Sequence, residues 1–261
     1  LVGATGSGKS TTLAAMIDHR NGQRSGHILT FEDPIEYLFK NRKSIVNQRE
    51  IGSDAKTLQT GLKNALRQAP DVIFIGEIRD RDTMTAAIAY SLSGHLVLAT
   101  LHANNSYHAM NRIISFYSPE NRPALLADLA AALKAVISQR LIRGKAGGRL
   151  PALEVLLNTR LIADMIEKGK IPEIKETMEK SLAAGSITFE QSLIQLLKED
   201  KITQEEALAN ADSVTNLLWL INNQGAADRP DEKGKNSTTP TEAAAQTDES
   251  GATFTEFTLH T

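Results

Sequence analysis

Residues 3–10 read Gly-Ala-Thr-Gly-Ser-Gly-Lys-Ser, a full match to the phosphate-binding pattern G-x-x-x-x-G-K-[S/T]. The glycines let the backbone curl so that several N–H groups point at one anion, and the following helix presents its N-terminus to the same anion. In this pattern Lys9 reaches the β- and γ-phosphates and the Ser10 hydroxyl binds Mg²⁺. The sequence therefore predicts a nucleotide site formed by Gly3, Ala4, Thr5, Gly6, Ser7, Gly8, Lys9, Ser10 and Thr11.

Composition and charge exclude several other classes of protein. The 261 residues carry a formal charge of −2, so no general attraction to nucleic acid is implied. The absence of cysteine excludes disulfides and thiolate metal sites, and it fits a reducing compartment. No apolar run approaches the roughly 20 residues that span a bilayer.

Strands and helices alternate in the first two thirds of the chain, which predicts an α/β fold with a mainly parallel sheet. The predicted strands are 27–31, 37–39, 44–48, 72–76, 95–100 and 149–157, and the predicted helices are 11–19, 57–68, 83–92 and 105–116. A long helix is predicted from Pro123 to about Leu141. Residues 159–221 have a helical pattern throughout, with Trp219 as a packing residue.

Acidic residues follow two of the buried strands. Glu32-Asp33-Pro34-Ile35-Glu36 comes directly after the first, where carboxylates suit magnesium or water handling, although an acidic turn in solvent is the usual meaning of such a cluster. Glu77 follows the strand that ends at Gly76. P-loop ATPases usually have Asp at the position that Gly76 occupies here, commonly followed by Glu. Glu77 is therefore a candidate to polarise the attacking water, with a plain surface acid as the alternative.

Two histidines flank another predicted strand. His95 precedes it and His102 follows it, and neither has a third ligand nearby that would complete a metal site. Each could be an ordinary polar residue at a strand end. Phosphate sensing or an interface contact is the better functional hypothesis for the pair.

The predicted domain organisation has three parts. These are an ATPase core at 1–157, a helical C-terminal subdomain at 158–222 and a tail at 223–261. The tail is acidic and has hardly any large apolar residue before Phe254, so we expect it to be disordered.

Four motifs occur in a fixed order, and together they resemble the Walker A, Asp, Walker B and His boxes of the secretion and type IV pilus ATPase superfamily. The boxes are the phosphate loop, the acidic stretch after the first strand, Gly76-Glu77-Ile78-Arg79-Asp80, and Gly94-His95 with Leu101-His102. The resemblance covers about residues 1–222. Within the superfamily the chain looks like a retraction motor of the PilT/PilU kind.

One feature distinguishes this chain from assembly and secretion ATPases, and a second distinguishes it from PilT within the retraction motors. Assembly and secretion ATPases usually carry a four-cysteine zinc insertion, whereas this chain passes from Gln139-Arg140 through a short glycine loop to Arg149 without cysteine. The PilT signature A-I-R-N-L-I-R has no match, because the corresponding stretch, 161–167, lacks both arginines. The PilU side of the family is therefore favoured.

The resemblance implies roles that the residues alone do not establish. It implies a RecA-like core in a homohexamer that uses ATP and Mg²⁺, with Glu77 as the catalytic carboxylate and Glu36 assisting it. His102, and less directly His95, would couple the site to neighbouring domains, and Arg112 would be an interface arginine or form a helix-surface ion pair.

The implied assembly lies in the cytoplasm at the inner membrane, at the base of the pilus. Its partners would be a PilT-type retraction ATPase and the inner-membrane pilus platform protein, with no nucleic acid.

Several alternative functions remain open from the sequence. A pilus assembly or type II secretion ATPase belongs to the same superfamily, and a non-hydrolysing ATP-binding accessory ring would be a scaffold instead of an enzyme. A DNA-translocating ATPase has no basic stripe to support it.

The strand before Gly3 is represented only by Leu1-Val2, and the resemblance assigns the charge-stabilising arginines to an N-terminal domain. We therefore expect residues 1–261 alone to turn over little ATP and to aggregate.

Overall fold

The computed structural model describes residues 1–180 and 183–227. The strands are β1 Gly26–Glu32, β2 Ser44–Glu50, β3 Val72–Ile75, β4 Leu96–Ala99, β5 Ala135–Arg143 and β6 Arg149–Leu157. The helices are α1 Lys9–Gln23, α2 Leu58–Ala65, α3 Arg81–Leu92, α4 Ser106–Ser115, α5 Arg122–Ala132, α6 Arg160–Glu167, α7 Ile174–Lys180, α8 Phe189–Lys198, α9 Gln204–Ala209 and α10 Val214–Ala227. Most of the predicted tail, 228–261, lies outside the described residues. Within them, no helix combines the length and the apolar content needed to cross a bilayer.

The first four strands form a parallel sheet in the order β2-β1-β3-β4. All four residues of β3 are buried, as expected for an apolar strand covered on both faces. Because the strands are parallel, Glu32 at the end of β1, Glu77 after β3 and His102 after β4 lie at the same edge of the sheet. The predicted α/β class with a parallel sheet is confirmed.

Val2 lies between the parallel sheet and a β5–β6 hairpin. It bridges Leu101 on one side and Ser138 on the other, both in the parallel sense. Its N–H donates to Ile137 O at 2.7 Å and its carbonyl accepts from Gln139 N at 2.9 Å. The phosphate loop therefore leaves the sheet from a position between β4 and β5.

One apolar cluster packs α1 on β1 and β3, and two larger clusters hold the other helices in place. The first of these two packs helices, including α5 and α6, on the parallel sheet, with Leu129 and Ile166 almost fully buried. The second packs α8, α9 and α10 around Phe189 and against Ile142 of the hairpin. Complete burial of a side chain such as Phe189 contributes about 1.5–3 kcal/mol.

The prediction of one helix from Pro123 to Leu141 is wrong. Helix α5 ends at Ala132, Leu133 has an extended backbone, and the chain continues as β5, paired antiparallel with β6 from Ala135↔Leu157 to Arg143↔Arg149. The apolar residues of this stretch also fit helical spacing, which misled the periodicity argument. Hydrogen bonding to β6 favours a strand over a helix here, and the spacing of apolar residues in the sequence does not reveal this pairing.

The predicted strand at Tyr37–Phe39 is also absent. These residues follow a cis peptide bond between Asp33 and Pro34. The Gln48 side chain holds them, since its Nε2 donates to Tyr37 O at 2.8 Å and its Oε1 accepts from Phe39 N at 3.0 Å. Hydrogen bonds to the Gln48 side chain thus take the place of the expected strand pairing.

Trp219 does not pack in a core, contrary to expectation. Its side chain is 61% exposed, whereas Leu217 two residues earlier is fully buried. Helix α10 therefore turns Leu217, and not Trp219, toward the α8 cluster.

Helix α3 is capped at its N-terminus by Asp80, the residue just before Arg81. Asp80 Oδ1 accepts from Thr83 N at 2.8 Å. We expect Asp80→Ala to lower the free energy of unfolding by about 1 kcal/mol, since it leaves a helix N–H without its partner. Asp82→Ala is the matched control and should change it by less than about 0.5 kcal/mol. Chemical denaturation without nucleotide measures both, and equal effects would show that Asp80 is not the cap.

Candidate nucleotide site

The phosphate loop has the glycine conformations that its pattern predicts. Gly6 and Gly8 have φ of 77° and 86°, and Gly8 caps α1 in a left-handed conformation. A Cβ at Gly3 would lie 2.4 Å from Ser7 Oγ, which is too close for any other residue. The loop therefore closes on itself tightly and leads directly into the N-terminus of α1, whose first-turn N–H groups favour an anion.

Lys9 lies across this loop. Its ammonium donates to Gly3 O and Ala4 O, each at 3.0 Å. Burial lowers the pKa of Lys9, while the charges of Glu77 and Glu36 act in the opposite direction. Both predicted carboxylates are therefore near enough to interact electrostatically with the loop lysine.

A cleft of ≈ 540 Å³ lies in front of the loop and brings half of the predicted site residues together. The predicted residues that line it are Thr5, Gly6, Lys9, Ser10, Glu36, Glu77 and His102. Thr11 lies beside it, with its hydroxyl 2.9 Å from the Tyr37 hydroxyl. The volume is in the range of small-molecule sites.

The acids after β1 have different environments. Glu32 is buried, and its Oε1 accepts from Thr30 Oγ1 at 2.7 Å and from Gln48 Nε2 at 3.0 Å. Asp33 and Glu36 are exposed and line the cleft. Glu32 therefore holds the end of the strand. Asp33 Oδ2 lies 3.9 Å from Arg79 Nη1, which leaves Glu36 as the acid of this group without an ion-pair partner among the described residues.

Glu77 is held by two neighbours at the mouth of the cleft. Arg79 Nε donates to Glu77 Oε2 at 2.8 Å, and His102 Nε2 lies 3.2 Å from Glu77 Oε1. The hydrogen bond to Glu77, together with its charge, raises the pKa of Arg79 above the usual value. A water bound to Glu77 would share the carboxylate oxygens with these two groups, since an ionised carboxylate has about four acceptor sites.

The glycine at the usual Asp position has a steric reason. A Cβ at Gly76 would lie 3.1 Å from Phe31 O and 3.3 Å from Glu32 Cα. The Gly76 carbonyl also accepts a hydrogen bond from Thr100 Oγ1. Close approach of β1 and β3 thus crowds this position, so a side chain here would require the strands to shift by a few tenths of an ångström, and the acid of this stretch is the next residue, Glu77.

His95 and Arg112 do not share the position of the other predicted residues. His95 lies before β4, at the sheet edge opposite His102, where its Nδ1 is 3.1 Å from Tyr90 O. Arg112, on α4, places its guanidinium 5.0 Å from the centre of the Phe116 ring. It lines a shallow pocket with Gly3, Ala4 and His102 on the outer side of the loop. The structure thus separates His95 from the nucleotide cleft and leaves Arg112 at its margin.

The chain offers oxygen donors suited to Mg²⁺, which prefers carboxylate, hydroxyl and phosphate oxygens with several retained waters. Ser10 and Glu36 line the same cleft. In the described ranges, no three His, Cys, Asp or Glu side chains are grouped so as to hold a metal by themselves. This donor set fits a cation bound mainly through the phosphates of its nucleotide.

Sequence reasoning missed a connection from β5 to the C-terminal helices. Arg140 donates to Asn104 O at 3.2 Å and forms an ion pair with Asp212. Asn105 Nδ2 donates to Asp212 Oδ2 at 2.8 Å. Burial of Asp212 opposes its ionisation, but these hydrogen bonds and the charges of Arg140 and Lys175 outweigh burial and lower its pKa. The residues just after His102 are therefore tied to the segment that precedes α10.

Comparison with known proteins identifies the family of the chain. A model of the family described as "Type II/IV secretion system protein" matches residues 1–199. The type IV pilus ATPase PilU of Pseudomonas aeruginosa is 51% identical over 84% of this chain and 58% of its own length. The type IV pilus retraction ATPase PilT of the same organism is 37% identical over 81% of this chain and 61% of its own length. The chain thus spans about three fifths of the length of these relatives.

A solved structure gives the same answer for the fold. The crystal structure of the pilus retraction motor PilT with bound ADP has a TM-score of 0.78 and 41% sequence identity, covering 84% of this chain and 62% of that one. The RecA-like α/β core that the resemblance implied is thereby confirmed. The chain belongs to the type II/IV secretion system protein family, and within it to the PilT/PilU type of pilus ATPase.

Proposed function

We propose that this chain is the motor part of an ATP-hydrolysing enzyme for type IV pilus retraction, on the PilU side of its family. The observation that carries the proposal is the convergence of an intact phosphate loop and Glu77 on one cleft. The similarity to PilU and to the retraction motor PilT supports the cellular role.

In the proposed reaction, the loop N–H groups and Lys9 bind the β- and γ-phosphates of ATP. Ser10 would hold Mg²⁺, which would neutralise phosphate charge. Glu77 orients the attacking water and accepts its proton, and Glu36 assists from the same cleft. Positioning and charge stabilisation then supply most of the rate, as in other phosphoryl-transfer sites.

We further propose a homohexameric ring that acts with a PilT-type ring and the inner-membrane pilus platform, in the cytoplasm at the pilus base. In that assembly His102 transmits the state of the phosphates to a neighbouring domain. His95 and Arg112 contribute contacts between domains or subunits, because both lie outside the cleft itself.

The alternatives have less support from specific residues. The β5–β6 connection is the short segment 144–148, which does not contain the four-cysteine insertion of assembly and secretion ATPases. A non-hydrolysing scaffold would not need Glu77, yet Glu77 lies in the cleft with both carboxylate oxygens engaged.

Pilus retraction in living cells tests the proposal. We expect cells whose complete protein carries Glu77→Gln to lose the PilU-type contribution to retraction while they still assemble pili, because the variant binds ATP without hydrolysing it. Retraction is followed by imaging labelled pili, with Asp82→Asn as a control acid outside the cleft lining. Loss of pilus assembly would favour the assembly ATPase, and unchanged retraction would favour the scaffold.

A further inference from the structure

Gln139 is a buried polar residue that the proposed reaction does not use. It lies on β5 and is 4% exposed. Its Nε2 donates to Ser7 O at 2.7 Å, and its Oε1 accepts from Thr12 Oγ1 at 2.8 Å. The amide orientation follows from chemistry, because a backbone carbonyl can only accept and therefore faces the nitrogen. One side chain thus joins the phosphate loop to the first turn of α1 from a strand more than a hundred residues away.

The side chain and backbone of Gln139 occupy the space that a Cβ would need at two glycines of the loop. A Cβ at Gly8 would lie 2.7 Å from Gln139 Nε2, and a Cβ at Gly3 would lie 2.5 Å from Gln139 O. The Gln139 N–H also donates to Val2 O at 2.9 Å, at the point where the chain enters the loop. Gln139 therefore contacts the loop at its entry, its middle and its exit.

The bond to Ser7 O fixes the direction of a donor. In a trans peptide the C=O and the following N–H point in opposite directions. When Gln139 draws the Ser7 carbonyl toward β5, the N–H of Gly8 must point away from β5. The bond to Thr12 fixes the first turn of α1 against the same strand. The Gly8 N–H is thus oriented before any anion binds, which lowers the free-energy cost of ordering the loop on binding.

We propose that Gln139 is a positioning residue that holds the phosphate loop in its anion-binding form. The inference rests on the proposed function in one respect, namely that the anion is the phosphate group of a nucleotide. It also predicts an order in the loop that exists without nucleotide, and this order can be measured separately.

Three substitutions separate the parts of the contact. Gln139→Met keeps the length and loses both bonds, whereas Gln139→Glu keeps an acceptor for Thr12 and faces Ser7 O with a second acceptor. Thr12→Val removes only the bond to α1. Gln191→Met is the matched control, because Gln191 is a glutamine whose side-chain Oε1 accepts from Thr188 N at 2.9 Å in the capping box of α8, away from the cleft.

The first measurement is the equilibrium titration of the full chain with fluorescent ADP and ATP in the presence of Mg²⁺. We expect Kd to rise about 10-fold in Gln139→Met, further in Gln139→Glu and less in Thr12→Val, as the loss of one or two buried hydrogen bonds implies. Gln191→Met should destabilise the fold without changing Kd. Wild-type affinity in a folded Gln139→Met would overturn the inference.

The second measurement is hydrogen exchange of loop amides without nucleotide. We expect faster exchange over residues 3–12 in Gln139→Met and unchanged exchange there in Gln191→Met. If loop exchange is unchanged in both Gln139→Met and Gln191→Met, the inference is wrong, whether or not the wild-type chain binds nucleotide. Failure of wild-type binding together with faster loop exchange in Gln139→Met would instead reject the nucleotide function and keep the positioning role.

Discussion

Replacing Glu77 with Gln is expected to lower ATP turnover by about 10²–10⁴-fold, the usual contribution of a positioned general base. Nucleotide affinity should stay close to wild type, because the amide keeps the shape of the side chain and the ground-state phosphates are bound by the loop and Lys9. The neutral amide can still accept hydrogen bonds from Arg79, but it cannot take the proton of the attacking water.

Phosphate release by the complete protein at saturating ATP, beside an equilibrium binding titration, measures this effect. Asp82→Asn is the matched control, since it removes an exposed carboxylate just after the same motif and should leave both quantities unchanged. Turnover at the wild-type rate in Glu77→Gln would exclude Glu77 as the catalytic carboxylate. Glu36→Gln would then be the next variant to measure.

Replacing Lys9 with Ala should weaken nucleotide binding by about 10–100-fold, since a charged hydrogen bond contributes about 1.5–3 kcal/mol. Without a ligand, the ammonium donates to the carbonyls of Gly3 and Ala4. When a nucleotide binds, the ammonium can donate instead to negatively charged phosphate oxygens. The Ala variant has no ammonium and loses these charged hydrogen bonds.

Titration with fluorescent ADP tests this expectation, with Lys63→Ala on the exposed side of α2 as the control lysine. Thermal unfolding without nucleotide should show that Lys9→Ala is folded. If both lysine variants bind ADP as tightly as wild type, the phosphates are not held by this loop.

The sequence predicted the parts of the site that depend on local pattern. The phosphate loop is an unbroken motif, and the apolar run Val72–Ile75 gave β3 and therefore the position of Glu77. Parallel packing of β1, β3 and β4 then followed from alternation with helices, and it brought Glu36, Glu77 and His102 to one cleft.

The remaining features depend on contacts between distant parts of the chain. Gln139 reaches Ser7 across a separation of 132 residues, and Asn105 reaches Asp212 across 107, so no window of sequence contains either pair. The same cause explains the error at β5, whose apolar spacing suits a helix until β6 is placed beside it. Arg79 was visible in the Walker B stretch, but its bond to Glu77 required side-chain geometry.

The β5–β6 hairpin also determines where residues can be inserted into this part of the chain. Along β5, Ser138 bonds Glu154, Gln139 bonds the phosphate loop and Arg140 bonds Asp212, and successive side chains of a strand point to opposite faces. One residue gained or lost before Ser138 would exchange these partners and undo all three bonds. The turn at Gly144–Gly148 lies beyond the last pair, Arg143↔Arg149, where residues can be added without shifting the register. Evolution or an engineer could therefore graft a tag, a metal module or a docking peptide onto this turn while the catalytic machinery keeps its alignment.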